Sequence, residues 1–501
     1  MNQQLQVLGH PAALFVMFFT EMWERFSYYG MRALLVIFLI SSVSEGGWAW
    51  DSEKAMALYG TYTMGVYMTP IIGGLLADLW LGYRWSVVIG AFIMTLGHAA
   101  MAMETELFLY IGLGCLMVGN GFFKPNMTSM ISKLYQNHPE KKDGAYSIFY
   151  MGVNAGAFLG IMLCGYIGEK VSWSLGFGLA GIFMFLGMLQ FYFTQGIFGE
   201  IGLSPDKKQK VQKEEISTNV MWDRLMVVGI FSLFSVFFWA AFEQAGGSMS
   251  IFAEKFTLRV LTGNSGFTFK VVDALMTLIP LGIITYVLYL LFVQTFKKYR
   301  LGNIILGFSF LIIWAIVFWK INKEFNAPET EVPATWFGIL NSLFIIAFAP
   351  LFSKWWESKY NLPAAFKFGF GLILLGIGFA FLAYGAMPIT TTETVVKVSM
   401  VWLIVAYLFH TLGELCLSPV GLSYVSKLVP AHLIGLMFGI FYLFLAMGNK
   451  LAGKMGGLID KISTEYSLST FFLIFTIIPI VLGLLIAALH PFIKKRMHGI
   501  E

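Results

Sequence analysis

The stretch Glu21-Met-Trp-Glu24-Arg25-Phe-Ser-Tyr28-Tyr29-Gly-Met-Arg32 places four formal charges in an apolar run from about Ala12 to Ile40, long enough to cross a bilayer. Each ionisable side chain at membrane depth costs about 2.5–3.5 kcal/mol on insertion scales. At about 100° per residue, the charged positions and Tyr28 share about a third of the helix circumference. The stretch therefore predicts a membrane helix with one polar, aromatic-lined stripe that is shielded from lipid. The alternative is a charged face that neighbouring helices cover for structural reasons alone.

The composition predicts an all-α polytopic membrane protein. Of the 501 residues, 58% are hydrophobic and only 12% are charged, whereas soluble proteins carry about 25% charged residues. The net charge of +5 does not indicate nucleic-acid binding, because the basic residues are scattered through loops and form no patch. Cys115, Cys164 and Cys416 lie in apolar segments without metal-ligand spacing. We therefore expect no metal site and no cofactor, and we expect the first hydrophobic run to be a retained span.

Apolar runs of about twenty residues predict fourteen membrane spans. Basic clusters such as Lys207-Lys208, Lys297-Lys298-Tyr-Arg300 and Lys494-Lys495-Arg496 fall on one side of these spans. The positive-inside rule then places both termini in the cytoplasm, which requires an even number of spans. The predicted spans are 12–40, 55–77, 85–103, 107–132, 145–168, 175–196, 222–246, 272–296, 302–320, 335–353, 366–386, 399–427, 433–456 and 469–492.

The long basic linker predicts the domain organisation. Residues 1–198 would form an N-terminal six-helix bundle, 199–221 a cytoplasmic linker, and 222–501 a C-terminal six-helix bundle with an inserted hairpin at about 265–325. Six spans plus six resembles the major facilitator fold, which binds substrate between its halves. We expect the hairpin to lack intramembrane charge and to pack on the outside of the bundle. We also expect Asp78, in the turn after the second span, to cap the third helix.

Five motifs occur in chain order: Glu21-x-x-Glu24-Arg25-Phe26-x-Tyr28-Tyr29-x-x-Arg32, Gly121-Phe-Phe-Lys124-Pro125-Asn126, Phe149-Tyr150-x-x-x-Asn154-x-Gly156, Phe238-Trp239-x-x-x-Glu243-Gln244 and Glu414-Leu-x-x-Ser418-Pro419-x-Gly421. Together they resemble the proton-dependent oligopeptide transporter (POT/PTR) family. Three features depart from the family pattern: the extra hairpin follows Glu243, Phe441 replaces a family tryptophan, and Gly60 stands where animal members carry a histidine. The resemblance implies a proton-coupled symporter, not an enzyme, that imports di- and tripeptides across a bacterial inner membrane as a monomer.

A peptide is a zwitterion, so its pocket needs opposite charges at two ends and amides between them. Intramembrane cations suit the carboxylate, because Arg binds it through two parallel hydrogen bonds. Asn154 and Asn341 can each donate to and accept from a peptide bond, although Asn154 alone could equally serve helix packing. The resemblance also implies Glu414 as partner of the peptide amine. The expected substrate-binding residues are Arg25, Arg32, Lys124, Tyr28, Tyr29, Tyr67, Asn154, Trp239, Asn341, Glu414, Ser418 and Phe441.

A charge tally predicts where protons act as the coupling ion. Four deep acids stand against three deep bases, so one carboxylate lacks a counter-charge and would take up a proton. Glu243 is the preferred site, since no base lies within one turn of it on its helix. Glu21 and Arg25 are expected to pair at i,i+4, leaving Glu24 for Lys124. The expected proton-coupling residues are Glu21, Glu24, Arg25, Lys124 and Glu243.

Three other readings remain. The same fold could carry nitrate, another small anion or a peptide-like compound, although Glu414 and the asparagines argue against a bare anion. A membrane enzyme would need a nucleophile–base pair, a metal cluster or a large soluble loop, none of which the sequence offers. A receptor or structural protein would not need paired charges in its interior.

Overall fold

The computed structural model describes residues 5–138, 141–203, 217–389, 396–430 and 433–500. Helices dominate these ranges, because a segment in lipid must satisfy its backbone hydrogen bonds internally. The seventeen α-helices in the described part of the chain are α1 Ala12–Ile40, α2 Ser52–Leu76, α3 Gly82–Met101, α4 Glu106–Leu134, α5 Lys142–Lys170, α6 Trp173–Thr194, α7 Thr218–Phe242, α8 Ser248–Phe256, α9 Gly263–Thr295, α10 Arg300–Asn326, α11 Ile339–Trp356, α12 Ala364–Gly385, α13 Val401–Leu428, α14 Ile434–Gly456, α15 Ile459–Glu465, α16 Leu468–Ala488 and α17 His490–Arg496.

Three pairs of two-residue strands occur in the described residues, next to the ends of helices. β1 Gln6–Val7 pairs antiparallel with β2 His10–Pro11 directly before α1. β3 Thr257–Leu258 pairs in parallel with β6 Val398–Ser399, and β4 Val260–Leu261 pairs antiparallel with β5 Thr330–Glu331. The last pair closes the base of the α9–α10 hairpin.

The predicted all-α membrane fold is confirmed. Twelve helical stretches in the described ranges have the length and hydropathy of a membrane span. One of them, Ser52–Met101, contains both α2 and α3, and the charged helix α1 is not among the twelve. Fourteen spans are consistent with these helices. The predicted bounds are close to the observed ones, and the largest difference is the start of α9, at Gly263 instead of 272.

The chain divides into two compact units. The first comprises Met1–Leu35, Thr69–Lys207 and Arg259–Trp336, and the second comprises Val36–Met68, Lys208–Leu258 and Phe337–Glu501. The α9–α10 hairpin therefore belongs to the first unit, where α10 packs on α6. The predicted linker at 199–221 lies largely outside the described residues, and the predicted domain bounds remain a prediction.

Within each unit, glycines let helices approach closely. In the first unit a Cβ on Gly90 of α3 would lie 2.6 Å from the carbonyl oxygen of Gly119 on α4. In the second unit a Cβ on Gly369 of α12 would lie 2.6 Å from the carbonyl oxygen of Gly483 on α16. Small residues at such crossings allow backbone-to-backbone packing, the usual source of helix association in lipid.

The turn between α2 and α3 differs from its prediction. A π-helical turn, Ala77–Leu81, joins the two helices, and the N-cap position of α3 is Leu81, without a side-chain cap. The expectation that Asp78 caps α3 is therefore wrong, because the helical backbone continues through the position where a cap would act. Arg84 holds this corner instead: its Nε donates to the carbonyl of Ile201 at 2.6 Å.

Candidate functional site

In the first unit, Arg25 lies between two carboxylates on helix α1. Its guanidinium donates to both oxygens of Glu24, with Nη2 2.7 Å from Oε1, and its Nε lies 3.3 Å from Glu21 Oε1. All three residues are at most 3% exposed. The predicted Glu21–Arg25 pair is present. The expectation that Glu24 is left free for Lys124 is wrong, because the long Arg25 side chain folds back onto its neighbour and binds it through two hydrogen bonds.

The other expected cations of the first unit surround the same carboxylates. Lys124 of α4 is close enough to Glu21, Glu24, Arg25 and Arg32 to interact with each electrostatically. It is partly buried, as is Arg32. The structure thus gathers the three predicted carboxylate-binding cations and the two acids of α1 in one cluster, which we call the α1–α4 cluster: Glu21, Glu24, Arg25, Arg32 and Lys124.

Tyrosine rings cover the guanidinium groups of this cluster. The Arg25 guanidinium lies 5.2 Å from the ring centre of Tyr28 and 5.9 Å from that of Tyr29. The Arg32 guanidinium lies 5.9 Å from the Tyr29 ring. Cation–π contacts at these distances stabilise a desolvated guanidinium. Both tyrosines therefore contact the cations of the cluster.

The sequence reasoning missed one polar residue of the cluster. Asn120 of α4 is fully buried, and its Nδ2 donates to Glu24 Oε1 at 3.2 Å. The second oxygen of Glu21, Oε2, is buried and has no hydrogen-bond partner among the described residues. An amide inside an apolar run was the available signal for Asn120, because such groups need a partner at membrane depth.

Asn154, also in the first unit, bonds to its own helix. Its Nδ2 donates to the carbonyl of Tyr150, one turn earlier on α5, at 3.0 Å. This bond leaves the amide oxygen of Asn154 as an acceptor for another group. Its predicted role towards a peptide bond remains a prediction.

In the second unit, Asn341 and Glu414 are direct partners. The Nδ2 of Asn341, near the start of α11, donates to Glu414 Oε2 at 2.8 Å and lies 3.1 Å from the hydroxyl of Thr411. Glu414 and Thr411 are both on α13, three residues apart, and so share a face of that helix. The structure therefore brings together two residues that the sequence predicted for different parts of a peptide.

Ser418 lies on the same face of α13 as Glu414, and Phe441 of α14 packs against that face. The hydroxyl of Ser418, one turn after Glu414, is buried without a hydrogen-bond partner among the described residues. Phe441 of α14 is 4% exposed and packs against Gly421, where a Cβ would lie 2.9 Å from its ring. Glu414, Ser418 and the Phe441 ring against Gly421 therefore follow one another along one face of α13.

Glu243 directly follows α7 and is 1% exposed. The hydroxyl of Tyr59, on α2, donates to Glu243 Oε2 at 3.0 Å. Sequence reasoning missed Tyr59, although a tyrosine inside an apolar run is a usual hydrogen-bond donor. Trp239 lies one turn before Glu243 and stacks edge-on against Phe242 at 5.3 Å. Tyr67 is also on α2 and is partly buried.

The α9–α10 hairpin carries a buried ion pair, contrary to the expectation that it lacks intramembrane charge. Asp273 of α9 and Lys320 of α10 are 2.7 Å apart, and their side chains are 9% and 4% exposed. Trp336 Nε1 also donates to Asp273 at 3.1 Å. The expectation failed because both residues lie at the edges of the predicted spans and 47 positions apart, so that only the folded hairpin brings them together.

A group of three or more His, Cys, Asp or Glu side chains suited to a metal ion does not occur within the described ranges. Several buried ionisable side chains, among them Arg25 and Asp273, are engaged in ion pairs.

Known proteins are similar to this chain in sequence and in fold. The sequence profile of the POT family matches residues 84–222 and 309–473. An uncharacterised transporter YclF of Bacillus subtilis is 34% identical, covering 98% of this chain and 96% of its own. The peptide transporter YePEPT of Yersinia enterocolitica is 31% identical over 90% and 88% of the two chains. A di-/tripeptide transporter of Lactococcus lactis is 29% identical over 98% of each.

Solved structures of transporters have a similar fold. A crystal structure of a variant of the peptide transporter POT in complex with alafosfalin has a TM-score of 0.79 and 27% identity, covering 99% of this chain and 98% of its own. The fold described above is therefore one that other transporters share. The chain is a member of the POT family, which is a family of membrane transporters and not of enzymes.

Proposed function

We propose that the protein is a proton-coupled symporter that imports di- and tripeptides across a bacterial inner membrane by alternating access. The observation that carries the proposal is the Glu414 carboxylate, which accepts a hydrogen bond from Asn341 at 2.8 Å. A carboxylate oriented in this way suits a peptide amine, whereas a bare anion has no use for it. The named functions of the relatives support a peptide substrate.

The α1–α4 cluster would bind the peptide carboxylate. Arg25, Arg32 and Lys124 supply three cations, and Glu21 and Glu24 hold Arg25 when substrate is absent. A peptide carboxylate can replace one of these acids as partner of a guanidinium at little net change in charge pairing. Competition between internal and substrate carboxylates would thus make release of the cation and binding of the peptide one event.

The second unit would bind the rest of the peptide. Glu414 receives the amine, Asn341 orients Glu414, and the Ser418 hydroxyl is available to a backbone group. Phe441, Trp239 and the tyrosines would form tolerant apolar walls for variable side chains. The hydroxyl and amide groups direct the peptide backbone, which every di- and tripeptide shares.

Glu243 would carry the coupled proton. It is 1% exposed and accepts from Tyr59 at 3.0 Å. A phenol can donate to a carboxylate and to a neutral carboxyl group, so this contact can persist when the proton arrives. Uptake of the proton would release the cation that balances Glu243, and that cation would then engage the peptide. Both termini would lie in the cytoplasm, and the transporter would act as a monomer.

The test is uptake of a labelled dipeptide into proteoliposomes with an imposed pH gradient, acidic outside. We expect accumulation that collapses when the gradient is dissipated and that unlabelled tripeptide inhibits. No response to the gradient and no inhibition by tripeptide would refute the proposal. Uptake of labelled nitrate in the same vesicles tests the rival cargo, for which we expect no accumulation.

The role of Glu243 has its own experiment. Glu243→Gln keeps the size of the side chain and fixes it in a neutral form. We expect it to abolish accumulation driven by the gradient and to retain exchange of internal for external peptide. Glu53→Gln, an exposed acid at the start of α2, is the matched control. Retained proton-driven accumulation with loss of peptide binding in Glu243→Gln would contradict the assignment.

A further inference from the structure

A carboxylate outside the α1–α4 cluster and the Asn341–Glu414 pair binds the chain just before helix α11. Glu169, at the end of α5, accepts from the backbone N–H of Ala334 at 2.7 Å and of Thr335 at 2.9 Å. It also accepts from the Thr335 hydroxyl at 2.6 Å, and its side chain is 8% exposed. The first N–H groups of a helical segment lack partners within the helix, and a carboxylate there makes charge-assisted hydrogen bonds.

The sequence of α5 is adapted to this contact. Gly165 precedes Glu169 by one turn and lies under Thr335, so that a Cβ at Gly165 would be 2.2 Å from the Thr335 hydroxyl oxygen. A residue with any side chain would displace Thr335. The approach of the chain to the Glu169 carboxylate therefore depends on a glycine at this position.

The Glu169 carboxylate contacts residues near both ends of the α9–α10 hairpin segment, where the chain crosses the boundary of the first unit. The chain leaves the second unit between Leu258 and Arg259 and returns between Trp336 and Phe337. Arg259, 5% exposed, lies 3.8 Å from Glu169 and donates to the carbonyl of Val332 at 2.7 Å. Glu169 therefore fixes the residues on the first-unit side of both passages.

Asn341 follows this anchored segment closely. It is the third residue of α11 and six residues after Thr335, and its amide holds Glu414 and Thr411 within 2.8 and 3.1 Å. Because hydrogen bonds weaken steeply with distance and angle, a small shift at the start of α11 would misplace the amide. No contact between Glu169 and Asn341 is needed, since the helix backbone transmits the position.

We propose that Glu169 is a positioning residue of the peptide site, which fixes the start of α11 and thereby the Asn341 amide that orients Glu414. The inference rests on the proposed function, since it assigns Glu414 to the peptide amine. It extends the site to an acid that contacts no substrate and lies beside the hairpin.

The experiment measures dipeptide affinity of purified protein for Glu169→Gln in two backgrounds. In the wild-type background we expect about tenfold weaker binding, the effect of losing charge-assisted hydrogen bonds. In the Asn341→Leu background we expect no further loss, because the group through which Glu169 acts is gone. Unchanged affinity in the first background, or the same loss in both, would overturn the proposal.

Two further variants keep the test decisive. Glu331→Gln removes the other acid beside Arg259, at 3.6 Å, but this acid is 44% exposed, and we expect wild-type affinity. If Glu169→Gln does not fold, Thr335→Val, which removes only the hydroxyl bond, decides: a loss of about threefold that Asn341→Leu abolishes supports the proposal, and none overturns it. Wild-type protein that binds no dipeptide would instead refute the proposed function.

Discussion

The two units hold their buried acids by different chemistry. In the α1–α4 cluster, Glu21 and Glu24 contact a guanidinium, with Glu24 bound through two hydrogen bonds. In the second unit, the contacts of Glu414 and Glu243 include an amide, from Asn341, and a phenol, from Tyr59. The first arrangement balances charge within one helix turn, whereas in the second an amide and a phenol, which carry no charge, donate to the acids.

This difference indicates different tasks. A guanidinium favours the ionised carboxylate only, whereas an amide or phenol can donate to either protonation form. Acids of the first kind suit a site where a substrate carboxylate competes for a cation. Acids of the second kind suit sites that exchange a proton or receive an amine. The four predictions that follow test the contrast, from the largest expected effect to the smallest.

Replacing Arg25 by Met should have the largest effect. Glu21 and Glu24 would lose the cation between them, and breaking a buried pair on one side costs about 3–5 kcal/mol. We expect dipeptide uptake to fall at least about a hundredfold, together with a lower unfolding temperature in detergent. Arg300→Met, an exposed position at the start of α10, should change neither. Near-normal uptake by Arg25→Met would show that the cluster is structural.

Lys320→Met tests another buried ion pair of the first unit, between Lys320 and Asp273. Asp273 would remain buried without its cation, and we expect a loss of about 3 kcal/mol in the free energy of unfolding. Peptide affinity of the folded fraction should stay at the wild-type value. The double variant Asp273→Asn/Lys320→Met should recover most of the stability, because no uncompensated charge remains. A double variant as unstable as the single one would contradict this account.

Asn341→Leu removes the neutral donor to Glu414 while keeping the side-chain volume. Hydrogen bonds to charged groups contribute about 1.5–3 kcal/mol, so the dissociation constant for a dipeptide should rise about tenfold or more. A des-amino analogue of the same peptide should lose much less. Thr411→Val, which removes the weaker contact of Asn341, is the control and should change affinity only slightly. Equal losses for the dipeptide and its des-amino analogue would count against Glu414 as the amine site.

Tyr59→Phe should have the smallest effect. It removes one hydrogen bond to the buried Glu243, worth about 1 kcal/mol, and should reduce the initial rate of proton-driven uptake about fivefold. Tyr110→Phe is matched, since the Tyr110 hydroxyl meets the Glu106 carboxylate at 3.5 Å on an exposed face, and it should be neutral. A wild-type rate for Tyr59→Phe would remove the phenol from the proposed proton step.

The helices of this protein could be read from its sequence because the bilayer imposes their length. The apolar run from Ala12 predicted α1 at its observed bounds, and the charges within it predicted the Glu21–Arg25 pair. The last motif placed Glu414 among the site residues, and the need for an amide placed Asn341 there, before their contact was known. Residue spacing within a helix and the length needed to cross the membrane can both be read from a single stretch of sequence.

Contacts that do not follow from regular helix spacing were harder to predict from the sequence. The pairing rule for helices, which favours i,i+3 and i,i+4, predicted no bond between Glu24 and Arg25, although the flexible arginine makes one. Asp273 and Lys320 meet only because the hairpin closes, and Asn120 and Tyr59 were single polar residues in apolar runs. Their partners depend on which helices are neighbours, and one sequence does not specify that.

Helix α2 belongs to different units at its two ends, since the division falls between Met68 and Thr69. A continuous helix is a stiff rod, because each main-chain N–H along it bonds to the carbonyl four residues earlier. Pro70, two residues past the division, has no N–H to donate and therefore leaves the rod one main-chain hydrogen bond short. Bending at this point breaks fewer bonds than bending elsewhere along α2, and Pro70→Ala would make the rod more uniform.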